Sequence, residues 1–188
     1  MNKYQQTMYD DLMNLVESSE AFYFADRQLD NRWYRIFNYR MASYTDFLQP
    51  NALECRGHTF EMDKEGPDAE VIRLSSLPMS KFFNVNENPF TMDLDMNNVI
   101  GVDLKADGSL ISTYWHDACW FNATPGDAGV VLRLKTKGAL ESDQALAAMK
   151  WLARPEKSKL KAELIGAEKL GCTVNLEWCA PDNRIVIG

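Results

Sequence analysis

The stretch from Val99 to Trp115 limits this chain's fold more than any other. Val99 to Leu104 is a short apolar run that predicts a strand. Leu110 to Trp115, rich in β-branched and aromatic residues, predicts a second. Asp107-Gly108 between them is a hairpin-turn signal. A chain with that pairing near its middle builds antiparallel sheet. Lys105 then stands at the lip of the sheet, where a tight turn lets backbone come close to a ligand. Two readings of Lys105 stand side by side. A solvated turn lysine is the commoner origin of an isolated Lys-x-Asp-Gly, because three fixed residues recur by chance. The other reading is a nucleophile. Lysine attacks phosphorus only as a neutral amine, and its free pKa is about 10.4. Nearby cations, a metal or desolvation must then assist it, so basic groups and carboxylates are expected elsewhere in the chain.

The remaining pattern is mixed. Tyr4, Met8, Leu12 and Leu15 recur at helical spacing and predict a helix over residues 3–19 that packs by that face. Asp26 to Asn31 is polar and reads as a loop, and Trp33 to Tyr39 reads as a strand. Ser43 to Leu48 suits a short helix ending before Pro50. Arg56 to Met62 and Val71 to Leu74 suit a hairpin around Gly66-Pro67. Pro78 to Phe90 is a long polar loop punctuated by aromatics, a form that in compact domains is usually functional. Cys119 to Thr124 and Val130 to Lys135 predict strands joined through Pro125-Gly126-Asp127. Ser142 is a candidate N-cap for residues 143–153. Pro155 suits the first turn of a further helix and Gly171 its end. Thr173 to Ala180 alternates as a strand, and Arg184 to Ile187 begins another. With no repeat, low-complexity tract or linker, this is an α+β pattern in which antiparallel hairpins predominate.

The 188 residues suffice for one domain with its own core, and 46% hydrophobic with 25% charged residues is globular composition. A net charge of −7 argues against tight, sequence-blind nucleic-acid binding, yet leaves room for a local basic cleft. The four cysteines, Cys55, Cys119, Cys172 and Cys179, form no Cys-x-x-Cys pair, and His58 and His116 are the two histidines. Free thiols are expected rather than structural zinc. No signal peptide and no apolar run long enough to span a bilayer is visible, so a cytoplasmic protein is expected.

Several blocks together resemble one family. Tyr34-Arg35-Ile36-Phe37 is followed by Ala42-Ser43-Tyr44 and by Ala52-Leu53-Glu54-Cys55-Arg56-Gly57. Lys81-Phe82-Phe83-Asn84 then runs into Asn86-Glu87-Asn88-Pro89-Phe90-Thr91-Met92. Lys105-Ala106-Asp107-Gly108-Ser109, Lys135-Thr136-Lys137-Gly138 and Glu177-Trp178-Cys179-Ala180-Pro181-Asp182-Asn183-Arg184-Ile185-Val186 complete the order. Each block is weak alone, but the order is specific. From about Tyr34 onward the chain resembles the N-terminal half of the bacteriophage T4 RNA ligase 1 family, ATP-dependent RNA ligases with the Lys-x-Asp-Gly nucleotidyltransferase motif.

That resemblance implies an antiparallel-sheet covalent nucleotidyltransferase fold, the ligase adenylation domain, with the nucleotide held between sheets. It implies that Lys105 attacks the α-phosphate of ATP and becomes Lys-AMP. Asp107 and Gly108 then shape the turn, with Gly108 letting the chain pass close to the nucleotide; by sequence alone Asp107 is equally a turn residue. Glu177 matches a glutamate near the nucleotide sugar, and a carboxylate accepts well from ribose hydroxyls. Alternatively it is an edge-strand surface residue. Arg56 and Lys81 match cations around the phosphates, where developing negative charge needs them; as bare sequence they are equally solvated surface cations. Phe83 matches an aromatic beside the nucleotide, with core packing as the alternative. Lys135 and Lys137 project to one side of a strand, and the resemblance favours Lys137 as the functional one. Mg²⁺ is implied as a cofactor, bound mostly through phosphate oxygens and water, with no protein metal ligands expected. The implied partners are ATP and RNA ends, a 5′-phosphate and a 3′-hydroxyl.

The family continues past this chain through a further glutamate motif, a Lys-x-Lys motif and a helical C-terminal domain. The chain therefore reads as a C-terminally truncated adenylation module, with a second polypeptide as one source of the missing motifs. Two alternatives stand beside it: a catalytically dead remnant that binds nucleotide or a partner, and a capping-type guanylyltransferase, which shares Lys-x-Asp-Gly.

Overall fold

A computed structural model describes residues 2–116 and 132–181. The predicted strands or turns at Cys119 to Thr124, Pro125 to Asp127, Val130-Val131 and Arg184 to Ile187 lie outside the described residues, as does Cys119.

The chain opens with helix α1, Lys3–Ser18. Asn2 caps it, accepting from Gln5 N at 2.9 Å while Gln5 reaches back to the Asn2 amide. Met8, Tyr9, Leu12 and Leu15 are buried along one stripe. Tyr4, expected on that stripe, is exposed one turn above it.

Strands β1 (Phe22–Leu29), β2 (Arg32–Tyr39), β3 (His58–Met62) and β4 (Val71–Ser76) form an antiparallel sheet in sequence order. The polar run Asp26 to Asn31 is thus mostly strand, not loop. Asp26 lies directly across from Arg35, whose side chain is buried, and the two make a bidentate ion pair with both N–O distances at 2.9 Å. Arg35 also donates to the Tyr9 hydroxyl at 2.8 Å and lies 3.9 Å over Phe24, which ties α1 to the sheet. The turn itself shrinks to Asp30-Asn31, both at positive φ, the two-residue form that matches strand twist. The β3–β4 hairpin forms as the sequence predicts, and Glu61 on β3 is buried between Arg32 and Arg73.

The second sheet has the order β6-β5-β7, from β5 (Ser109–Tyr114), β6 (Arg133–Thr136) and β7 (Asn175–Trp178), both pairings antiparallel. Helices α2 (Asp143–Leu152) and α3 (Ser158–Lys169) cover it, burying Ala145, Ala148, Leu152 and Leu164 against Ile111 and Leu134. Ser142 caps α2 through Ala145 N, and Gly171, at positive φ, follows α3 as expected. The whole is α+β with antiparallel sheets.

Val99 to Leu104 is not a strand. Both edges of β5 are taken, by β6 and β7, so the apolar run before it cannot pair with β5 as the hairpin reading requires. Ile100, Val102 and Leu104 are almost fully exposed. Asp107-Gly108 is accordingly no hairpin turn but the lead-in to β5.

The two sheets meet along β4 and β5. Ser75 and Ser76 donate to the carbonyls of Trp115 and Thr113, each at 2.7 Å. The Tyr34 and Tyr114 rings pack edge to face at 5.8 Å, and the Tyr34 hydroxyl lies 2.6 Å from His116 Nδ1. Cys55 is a buried free thiol, and Cys172 and Cys179 are exposed ones. Among the described residues no helix is long and apolar enough to cross a membrane.

Candidate active site

At the opposite end of β5 the sheets part around a cleft of about 740 Å³. Lys105 and Gly108 line it from the β5 lead-in, Lys137 and Gly138 from the end of β6, Glu177 from β7, and Arg56 and Phe82 from the first sheet's side. Residues far apart in sequence thus converge on one opening. Lys81, Phe83 and Asp107 are not part of this lining.

Glu177 lies across from Leu110 on edge strand β7, and its Oε1 accepts the Gly108 amide at 3.0 Å. The carboxylate is therefore tied to the segment that carries Lys105. The fold itself already requires a glycine at position 108. A Cβ at this position would stand 2.3 Å from the Trp178 carbonyl oxygen, so the missing side chain serves the approach of β7.

The cations cluster around Tyr39. Lys137 Nζ lies 4.2 Å over the Tyr39 ring. Burial of Lys137, then the neighbouring charge of Arg56, pulls its amine below the usual lysine value, with a further push from Lys81. Burial raises the Tyr39 hydroxyl and Arg56 offsets part of that rise, so Arg56, Lys137 and Tyr39 form one electrostatic unit. Arg56 Nη1 reaches the Met79 carbonyl at 3.5 Å, and Lys81 Nζ donates to the Phe82 carbonyl at 2.8 Å. Arg56 and Lys137, from opposite sides of the cleft, with Lys81 close enough to act on Lys137, concentrate positive charge at this end of a protein of net charge −7.

Phe82 and Phe83 point to opposite sides of their extended segment. Phe82 is half-exposed in the cleft lining. Phe83 stacks on Phe90 at 5.5 Å, meets Phe47 edge-on, and lies 4.3 Å beneath Lys81. In this arrangement Phe83 braces Lys81, and Phe82 is the aromatic at the opening. Tyr39, under Lys137, and Phe82 and Gln144, in the lining, are not marked as site residues by the sequence. A strand tyrosine and a helix glutamine carry no local signal of this kind.

Lys135 differs sharply from Lys137. It is fully buried, and its Nζ donates to the Gly57 carbonyl at 2.8 Å. Burial alone lowers its amine from 10.5 to about 7. Between those values the unfolded chain holds a proton that the folded chain lacks, so stability rises with pH, by at most about 1.4 kcal/mol per pH unit. Lys137 acts in the same direction. His58, held down to about 3 by burial and by Lys135, completes its contribution by its unfolded value of 6.5. Cys55 opposes from near 9.0 upward, because burial raises its thiol to about 12. Denaturation midpoints should therefore climb from about pH 7 to about pH 8.5 in the wild type, and more shallowly in Lys135→Met. Parallel profiles for the two proteins would count against the buried amine.

A family model described as RNA ligase, of the T4 RNA ligase 1 type, matches residues 54–188. The chain belongs to the T4 RNA ligase 1 family. The match opens at Glu54, just before Arg56, and spans Lys81, Phe83, Lys105, Asp107, Gly108, Lys137 and Glu177. Helix α1 and strands β1 and β2 precede it, so Tyr39 of this RNA ligase family chain comes from outside the matched region. An RNA ligase acts on RNA, and the general role of this chain is that of an RNA ligase domain.

ATP and Mg²⁺ are the groups generally used in such a family. Among the described residues no three His, Cys, Asp or Glu side chains gather as a metal cage, and Glu177 is the one carboxylate in the described cleft lining. That donor set suits a hard cation drawing most of its ligands from phosphate oxygens and water.

Proposed function

We propose that this chain is the adenylation module of an ATP-dependent RNA ligase, with Lys105 as the nucleophile. The observation that carries the reading is the convergence of Lys105, Glu177, Arg56 and Lys137 on one cleft. The Lys105 amine attacks the α-phosphorus of ATP in its neutral form. A P–N bond forms, the bond to the β-phosphate oxygen breaks, pyrophosphate leaves and the nitrogen gives up its proton to water. Arg56, Lys81 and Lys137 neutralise charge that develops on the phosphate oxygens and the leaving group. Glu177 accepts from the ribose hydroxyls while its Gly108 bond keeps it aligned with the Lys105 segment. Asp107 shapes the backbone between the two. Phe82 or Phe83 offers the purine a ring to lie against, and Phe82 is the one lining the cleft. Mg²⁺, when bound, would supply charge neutralisation at the phosphates and would be held mostly through phosphate oxygens and water. AMP then passes to a 5′-phosphate RNA end, and attack by a 3′-hydroxyl releases it.

Intact-protein mass spectrometry after incubation with ATP and Mg²⁺ tests the reading. A gain of one AMP is expected. Attachment of GMP from GTP instead would turn the assignment to a capping-type guanylyltransferase, and no gain with either nucleotide would leave a nucleotide-binding remnant. Arg56→Ala and Lys81→Ala should each fold normally, since both side chains are partly exposed, and should form the adduct about 10²-fold more slowly. Unchanged rates would remove them from the phosphate site.

A further inference from the structure

Lys135 and Lys137 stand two residues apart, yet one is sealed inside and the other lines the cleft. The buried one holds a joint between the sheets. Gly57 sits at φ +93°, and its amide donates to the Phe37 carbonyl at 2.7 Å. A Cβ on Gly57 would lie 2.8 Å from the Lys137 carbonyl oxygen and 3.3 Å from Lys135 Nζ, so the two backbones are in close contact. Asn38 on β2 donates from Nδ2 to that same Lys137 carbonyl at 3.2 Å. Lys135 closes the joint from the other direction through the Gly57 carbonyl. Arg56 precedes Gly57 directly, and Lys137 is itself the gripped residue. The joint therefore sets the spacing between a cation of one sheet and a cation of the other.

An apolar residue would fill the Lys135 position at lower cost if filling it were all that mattered, since a buried amine with one carbonyl partner is expensive. His58 beside it has both ring nitrogens buried without a hydrogen bond, and Glu54 at 3.7 Å is too far to make one. The pocket thus tolerates polar groups it does not fully satisfy. That cost is offset where the amine's reach to Gly57 matters.

We propose that Lys135 is a positioning residue for the phosphate end of the cleft, holding Arg56 and Lys137 at the separation a polyphosphate chain bridges. The inference rests on the adenylation reading of the cleft and adds to it a residue that touches no substrate.

The test measures inorganic tripolyphosphate binding by titration calorimetry, with AMP gain from ATP followed separately on the same proteins. Lys135→Met should fold and bind tripolyphosphate about tenfold more weakly. Lys135→Gln, which keeps a donor on a shorter arm, should show a loss in the same direction and serves should the methionine variant not fold. In an Arg56→Ala background the Lys135 substitution should cost much less, because the group it positions is gone; a merely structural lysine would cost the same in both backgrounds. Unchanged binding in the single variants, full additivity in the double variant, or a wild type that does not bind tripolyphosphate overturns the inference. Intact tripolyphosphate binding without any AMP gain overturns the adenylation reading and leaves the positioning role standing.

Discussion

Lys105→Ala should show no AMP adduct at any time or ATP concentration, while remaining as stable as the wild type. Lys105 is exposed on an extended, unpaired segment, so removing its side chain costs the fold little, within about 0.5 kcal/mol. The chemistry, by contrast, has no substitute for it. The adduct is a bond from nitrogen to the α-phosphorus, and only a side chain with an accessible amine can form it. Lys137 lines the same cleft but lies over the Tyr39 ring, and Lys135 is buried, so neither takes over the attack. Lys105→Arg should be equally inactive, since guanidinium keeps its proton at any working pH. Intact mass after ATP and Mg²⁺, read beside a thermal melt, checks both halves. An AMP adduct persisting in Lys105→Ala would sink the assignment of the nucleophile.

Gly108→Ala should damage both fold and reaction. The added methyl would stand 2.3 Å from the Trp178 carbonyl oxygen and 2.7 Å from its carbon, and neither is the far end of a flexible side chain. Edge strand β7 must move away, which strains the Ser109–Trp178 and Leu110–Glu177 pairings and the Gly108–Glu177 hydrogen bond. Overpacking of this kind costs about 1–3 kcal/mol, and each kcal/mol lowers Tm by about 2–4 °C in a domain of this size. Because the displaced strand carries Glu177 and the lead-in beside it carries Lys105, adduct formation should fall at least as steeply as stability. Gly138 provides the contrast. It lines the same cleft, a Cβ there meets nothing within 4 Å, and Gly138→Ala should melt within about 1 °C of the wild type. Equal melting of Gly108→Ala and the wild type would show that β7 does not press on this glycine.

These two predictions separate what is local from what is not. Helix α1 was legible because its buried stripe repeats at helical spacing within sixteen consecutive residues. The β3–β4 hairpin, the Ser142 cap of α2 and the glycine after α3 were legible for the same reason: each is a short-range choice between few backbone conformations. Lys105, Arg56, Lys137 and Glu177, each picked out by residue type and place in the sequence, do line one cleft. Tyr39 escaped notice because nothing near it in sequence marks a strand tyrosine as the platform for a cation.

The failures have a common cause. Asp26 looked like loop because polarity was read without its partner; Arg35 across the sheet gives its carboxylate a buried role. Val99 to Leu104 looked like strand because it is apolar, but a strand exists only with an edge to pair with, and β6 and β7 already occupy both edges of β5. Alternation put Lys135 and Lys137 on one side without saying which would be sealed over, and Phe83 stood undecided between the nucleotide and core packing. The sequence by itself determined the family, the Ser142 cap of α2, the glycine after α3 and the nearest-neighbour hairpin. Only the tertiary structure decided which of those groups meet, what Gly108 makes room for, and that a buried lysine ties Gly57 to β6. Burial and pairing depend on residues tens of positions away, and the local periodicity of a chain carries no record of them.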